Sequence, residues 1–431
     1  MESFWYTVYN FLVMPFFRGV LCLGSLVDRK VRRGLQGRRR LFENIEEAAS
    51  GMRGKRPRFW IHNSSMGEFE QAKPVIEALK TRFPDSSVVV TFFSPSGLDH
   101  VKSYAGADFL CYLPLDSRSN ADRFVRTLDP DVGIVVRHDI WPNHIRALRK
   151  NQIPAVLINF SLRPRRFPLV CGLFRFLFNP FDRILAVSHE TVLISNRCGF
   201  APGRMEVAGD TRYDQVVRRT RESERVAAPL RPLKRNRPCM VFGSTWPSDE
   251  AVIFPLLQKI RDAGVGVWSV MVPHEPTTTH LVQIEAQCES QGLICRRLTS
   301  VESSPADDPF DVLLVDRVGI LAGLYAIGDA AFVGGGFGPG VHSVLEPAAF
   351  GKPVFFGPRC GNSFEAGQIR SRGGGFVVSD AEGFFGLLLP LLRDPDLLKG
   401  TGEKSLALVR ENLGATERIV AHLEALAFSR D

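Results

Sequence analysis

Apolar runs and amphipathic stretches alternate along this chain. Phe59–His62, Ser87–Phe92, Val132–Val136, Ala155–Asn159 and Arg183–Val187 read as buried strands, with helical spacing between them. The second half repeats the pattern in Cys239–Phe242, Val267–Val272, Val312–Val315, Ala331–Val333 and Pro353–Phe356. This alternation predicts an α/β fold with parallel sheets built from βα units. Residues 216–237 are rich in Arg, Pro and charge and lack an apolar period, which predicts an interdomain linker. Pro395–Phe428 predicts a last helix that packs back on the first half.

Before the first strand the pattern is different. Ser3–Val27 is apolar and aromatic, interrupted by Asn10, Pro15 and Arg18. A clean membrane span needs about 20 apolar residues, and Arg18 is costly at mid-bilayer. Residues 1–40 hold eight Lys/Arg and two acids, most of the basic residues following the apolar run. A cleavable leader would place them before it. The segment therefore reads as an uncleaved membrane anchor with the catalytic body on the cytoplasmic side, spanning or lying in the interface. The expected organisation is an anchor and basic flank (1–40), a first domain (41–215), the linker (216–237) and a second domain (238–431).

The chain has 431 residues, too many for one core when a domain averages about 150. The net charge is +8, but +6 of it sits in the first 40 residues. That asymmetry favours a membrane surface over nucleic acid as partner. Eight scattered cysteines include no CxxC pair and no Cys/His zinc spacing, which argues against disulfides and structural zinc.

Candidate chemistry clusters where strands end. Val333–Glu365 runs from a strand into Gly334, Gly335, Gly336, Gly338 and Gly340, then a helix near Ser343, a strand, and Asn362 and Glu365. Strand, glycine turn and helix start together suit phosphate, because the backbone comes close and free N–H groups face the anion. Glu346 would reach a ribose hydroxyl. His62 is followed by Asn63-Ser64-Ser65-Met66-Gly67-Glu68, in which Glu68 suits either a general base or a partner for the helix dipole. Asp139-Ile140-Trp141-Pro142-Asn143 follows another strand, and Gly243-Ser244-Thr245 opens another helix. Pro273-His274 and Val318-Gly319-Ile320 end two more strands. Ser161–Arg166 reads as a basic loop, either solvated or facing an anionic substrate.

In this order the motifs resemble the bacterial Kdo transferases, glycosyltransferase family 30, which add 3-deoxy-D-manno-octulosonic acid (Kdo) from CMP-Kdo to the lipid A precursor. The match takes in His62–Glu68, Asp139–Asn143, Gly209-Asp210-Thr211-Arg212-Tyr213-Asp214, Gly243–Thr245, Pro273-His274, Gly334–Phe337, His342–Ala348, and Asn362 with Glu365. The resemblance implies a GT-B architecture of two Rossmann-like domains facing a cleft. It implies Glu68 as catalytic base, with His62, Ser65, Asp139 and Arg212 in acceptor or supporting roles. CMP would be held by Ser244, Thr245, Pro273, His274, Val318, Gly319, Ile320, Gly335, Gly336, His342, Ser343, Val344, Leu345, Glu346, Asn362 and Glu365. Transfer would be inverting and metal-free, with no cofactor beyond the CMP-Kdo substrate, at the bacterial inner membrane.

There are departures from the family pattern. His274 directly follows Pro273 where the family has arginine, so the cation at the donor phosphate would be His274 or Arg212. Arg137 stands where an acid is common, and Ser343 replaces asparagine. Asp307-Asp308 lies in a Pro/Ser-rich connection, not in a DxD metal motif. The competing readings are another GT-B glycosyltransferase or a sugar-nucleotide epimerase using a UDP-sugar, and an inactive membrane-bound nucleotide-sugar-binding protein.

Overall fold

The structure, a computed structural model, describes residues 2–101, 104–162, 171–199, 203–303 and 308–428. The basic loop read at Ser161–Arg166 falls mostly outside these residues, as does Asp307. The chain forms two compact units, one comprising Met1–Gln215 with Leu413–Asp431, the other Val216–Asn412.

The first unit is built on a seven-stranded parallel sheet. Its strands are β1 (Arg58–Asn63), β2 (Ser87–Phe92), β3 (Phe109–Tyr112), β4 (Val132–Val136), β5 (Ala155–Phe160), β6 (Arg183–Ala186) and β7 (Met205–Val207). They lie in the order β3-β2-β1-β4-β5-β6-β7. Helices cover both faces, so the central strands are apolar on both sides. Phe59 and Ile61 of β1 pack with Phe69, Ile76, Ile419 and Leu423, whereas Trp60 packs on the other face with Phe124 and Leu148.

The second unit repeats the design with β8 (Cys239–Thr245), β9 (Trp268–Pro273), β10 (Cys295–Arg297), β11 (Val312–Leu314), β12 (Ala330–Val333), β13 (Val354–Phe356) and β14 (Gly375–Val377). The order is β10-β11-β9-β8-β12-β13-β14, again parallel throughout. Strand order reverses between β1 and β4 in one unit and between β8 and β12 in the other. Open α/β sheets bind ligands at the carboxyl ends of the strands flanking such a point.

Two boundaries differ from the sequence reading. Residues 216–237 are not an extended linker. The helix Thr211–Glu222 runs into them, followed by the helix Glu224–Leu230 and a turn at Arg231–Lys234. Ala227 and Leu230, three apart, are buried with Trp268 and Tyr325, which anchors this segment in the second unit. Pro395–Phe428 is two helices, Pro395–Glu411 and Ala415–Ala427, separated at Gly414, whose φ is +88°. The second of these belongs to the first unit, where the Asp214 carboxylate accepts from the N–H groups of Gly414 (2.8 Å) and Thr416 (2.7 Å).

Phe4–Val27 is helical and, by length and composition, able to cross a bilayer. Arg38, read as part of the basic flank, turns inward instead. Its guanidinium donates to the carbonyls of Gly34, Phe93 and Leu113 at 2.8 Å, and burial pushes it down to about 10.

Candidate active site

In the first unit the site grows from the carboxyl ends of β1 and β4. His62 points to the same face as Trp60, and the parallel register sets it opposite Thr91. His62 Nδ1 lies 2.9 Å from Thr91 Oγ1 and Nε2 lies 2.9 Å from Asp139 Oδ2. A carboxylate only accepts, so Nε2 donates to Asp139. The Thr91 hydroxyl accepts from Trp60 Nε1 at 2.9 Å. Thr91 thus bridges the indole and the imidazole, and Asp139 holds the ring's other nitrogen. Burial pushes the Asp139 carboxyl up, but hydrogen bonds led by that from His62 hold it below its ordinary value.

Glu68 sits in the first turn of the helix Met66–Arg82, which follows β1. Ser65 and Glu68 form a capping box. Ser65 N–H donates to Glu68 Oε2 at 3.1 Å, and the Ser65 hydroxyl donates to the same oxygen. Among the described residues Oε1 has no hydrogen bond, so one oxygen is fixed and the other is available to a substrate. The two roles left open by the sequence, cap and base, are therefore compatible. His138 is also close, donating from Nε2 to the Ser161 carbonyl at 2.6 Å. Burial lowers its imidazole, and the Glu68 charge partly opposes this. Arg137, the residue after β4, takes the left-handed region at φ +64°.

Arg212 belongs to the first unit. Its guanidinium grips Asp210 through Nε and Nη2, at 2.9 and 2.6 Å to Oδ2, within the first unit. Thr211 beside it is equally committed, accepting from Asn159 Nδ2 at 2.7 Å and donating to the Gln71 carbonyl at 2.6 Å. The Gly209–Asp214 motif thus braces the first unit and holds the C-terminal helix.

In the second unit two N–H groups of the glycine stretch serve a carboxylate of the protein itself. The N–H groups of Gly335 and Phe337 donate to the buried Asp249 carboxylate at 2.8 and 3.2 Å, and Trp246 N–H donates to it at 2.9 Å. These three N–H groups are thus taken up by a resident carboxylate. Burial raises Asp249 above its usual value, and these three N–H groups restrain the shift. The glycines are needed because backbones meet here. A Cβ on Gly334 would fall 2.1 Å from the Ser244 carbonyl, and one on Gly336 would fall 2.5 Å from Gly357 N. Asn362 Nδ2 donates to the Val341 carbonyl at 2.8 Å, and Glu365 accepts from Ser363 at 3.0 Å, so both support this loop.

Beside the loop lie three stacked rings. Trp246 and His274 are 4.8 Å apart, and His274 and His342 are 4.4 Å apart. Trp246 Nε1 donates to His342 Nε2 at 3.0 Å. An indole nitrogen only donates, so His342 is neutral there, with its proton on Nδ1. Burial and the neighbouring His274 hold its pKa below the usual imidazole value.

A cavity of about 470 Å³ opens next to His274. Among the expected donor residues, Ser244, Pro273, His274, Val318, Gly319, Ile320 and Glu346 line it. Thr245 is buried beneath and donates to Glu250 at 2.8 Å, which His280 also contacts at 3.0 Å. Gly335, Gly336, His342, Ser343, Val344, Leu345, Asn362 and Glu365 are not among its lining residues. Val344 and Leu345 are buried, leaving only their backbone to any ligand. Glu346 accepts from Arg219 Nη1 at 2.7 Å, and Arg219 and Arg317 add two cations to the wall. The sequence reading missed both arginines. Arg219 lay in the supposed linker, although Val216 and Ser223 bracket it with helical spacing and are buried. Ser244 takes a left-handed φ of +53° at the cavity edge. A volume of several hundred Å³ is typical of a small-ligand site.

Residues 36–215 match the family described as 3-deoxy-D-manno-octulosonic-acid transferase (kdotransferase). A 3-deoxy-D-manno-octulosonic acid transferase of Haemophilus influenzae is 27% identical over 428 residues, 97% of each chain. That of Bordetella pertussis is 27% identical, over 92% of this chain and 94% of its own. Among solved structures, the UDP-GlcNAc 2-epimerase of Neisseria meningitidis bound to UDP-GlcNAc superposes with a TM-score of 0.60. It covers 85% of this chain and 100% of its own at 14% identity. A glycosyltransferase of Rickettsia africae gives a TM-score of 0.55 at 13% identity, covering 87% of this chain and 99% of its own. At these identities the structures establish a common fold, two Rossmann-like parallel-sheet domains of the GT-B type.

Proposed function

The chain belongs to the bacterial 3-deoxy-D-manno-octulosonic acid transferase family, glycosyltransferases of lipopolysaccharide biosynthesis, and from this premise we propose that it transfers Kdo from CMP-Kdo to a lipid A precursor. The observation that carries the reading is the end-to-end match to curated transferases, 97% of both chains, together with a carboxylate held at a strand-end site by Ser65. In this reading the free oxygen of Glu68 takes the proton from a sugar hydroxyl of the acceptor. The hydroxyl oxygen attacks the anomeric carbon of Kdo from one face. The bond from that carbon to the phosphate oxygen breaks on the other, and CMP leaves with the electron pair, so configuration inverts. His62 and Asp139 orient the acceptor edge of the first unit.

CMP would occupy the cavity of the second unit, with Glu346 on the ribose and Arg219, Arg317 and His274 near the phosphate. Cations and N–H groups stabilise the departing charge without a metal in this proposal. The protein would work on the cytoplasmic side of the inner membrane.

Competition for donor binding tests the nucleotide. CMP should displace a fluorescent cytidine analogue at concentrations where UDP does not. Displacement by UDP alone would favour a UDP-sugar enzyme. Binding of CMP-Kdo without any transfer would favour a binding protein.

A further inference from the structure

The N-terminal helix carries two unlike faces. On one, Trp5 rests against Gly172, Tyr6 donates to Asn143 Oδ1 at 2.6 Å, and Tyr9 donates to Asp116 Oδ2 at 2.7 Å. Asn143 Nδ2 donates back to Asn10 Oδ1 at 3.0 Å. Met14 is buried, and the Phe17 ring is 5.9 Å from both Phe93 and Trp141. These contacts extend from Trp5 to Phe17, about 18 Å of helix at 1.5 Å per residue. Asp116 is fully buried and also accepts from His144 N–H and Nδ1, so the tyrosine latch closes on a built site.

On the other face, Phe4, Phe11, Phe16, Val20, Leu23 and Val27 form a stripe at helical spacing, and Phe16 is 75% exposed. Cations border it. The Arg118 and Arg146 guanidiniums lie 4.8 and 4.3 Å from the Tyr6 ring centre, and Arg118 also reaches Phe11 at 6.0 Å. Arg32 folds back to donate to the carbonyls of Ser25 and Leu26 at 2.8 Å, tying the end of the helix to the basic segment after it. In a transbilayer helix, Tyr6 to Phe17 would be surrounded by lipid. Here that stretch is bonded along its length to the first unit.

We propose that Phe4–Val27 lies in the plane of an anionic bilayer surface, its apolar stripe embedded in one leaflet and its polar face latched to the first unit. The exposed stripe needs an apolar occupant, and the arginines beside it match anionic headgroups, which together specify a lipid surface. The docked face meets Phe93 after β2, the strand paired with β1, and Trp141 after β4, two residues beyond Asp139. The leaflet then borders the acceptor edge, and a lipid-linked sugar reaches it by lateral diffusion. This deepens, and rests on, the membrane attachment in the reading above.

The test places an acridone-bearing amino acid in turn at Phe4, Phe16 and Val27 of the full chain. Binding is measured to vesicles of phosphatidylethanolamine with phosphatidylglycerol, and depth is read by doxyl-lipid quenching. Equal shallow depths, about 5–10 Å below the headgroups, are expected at all three positions. Binding should fall at least about ten-fold on pure phosphatidylcholine, since each basic residue near an anionic surface contributes roughly 1 kcal/mol. Shallow ends with Phe16 at the bilayer centre would overturn the in-plane arrangement and leave the attachment intact. No vesicle binding would overturn both, whatever the soluble enzyme's chemistry.

Discussion

His62 Nε2 and Asp139 Oδ2 meet at 2.9 Å across the point between β1 and β4 where strand order reverses. Replacing Asp139→Asn removes a charge-assisted bond and should cost about 1–3 kcal/mol in chemical unfolding at neutral pH. Burial raises the folded carboxyl, but His62, Trp141 and Ser64 together hold it below its ordinary value. Its contribution is therefore complete above the unfolded pKa of about 3.9 and is lost as pH falls through the lower folded value. The stability gap between wild type and variant should accordingly close in strong acid. A gap unchanged down to pH 2 would contradict this pairing.

In the proposed mechanism Glu68 is base as well as cap, and two substitutions separate the roles. Glu68→Gln keeps a capping-box residue, so its melting temperature should stay near wild type while transfer falls roughly 100-fold or more. Glu68→Ala should lose activity and also about 1 kcal/mol of stability. Full turnover in Glu68→Gln would remove this residue from the chemistry.

Arg219, paired with Glu346 on the cavity wall, should matter for the donor. Arg219→Ala should weaken CMP binding about ten-fold or more in calorimetry, with Arg219→Lys intermediate. Equal affinity in all three would mean that CMP does not meet this wall.

Trp246→Phe deletes the N–H that His342 Nε2 accepts. In wild type the His342 resonances should titrate below about 6.5, the free imidazole value. In the variant the midpoint should move upward, because protonation of Nε2 no longer opposes a donor. An unmoved midpoint would mean that the indole does not fix the tautomer.

Gly334→Ala would push a methyl into the Ser244 carbonyl and should destabilise the protein by about 3 kcal/mol or more. Gly386, inside the helix Ala381–Arg393, has open space around its Cβ position. Gly386→Ala should instead stabilise by about 0.5–1 kcal/mol. Thermal denaturation of the two variants compares them directly.

The central strands are legible in the sequence because both of their faces are buried. The four that escape it, β3, β7, β10 and β14, are the edges of the two sheets. They are three or four residues long and partly exposed, so neither an apolar run nor a clean alternation marks them. Glu68 and its cap are visible as a local spacing. The His62–Asp139 contact is not, since 77 residues separate its members. The glycine stretch shows that something close approaches the backbone, but not that Asp249, 86 residues earlier, is the anion it meets. Arg219 escapes because charge masks the helical period of the segment around it.

The most direct measurement is transfer from CMP-Kdo to a tetra-acylated lipid A precursor in detergent, followed by mass spectrometry of the lipid. The account predicts a mass gain of one or more Kdo units with wild type and none with Glu68→Gln, which still binds CMP-Kdo. A folded wild-type protein that binds CMP-Kdo and leaves the lipid mass unchanged would contradict it.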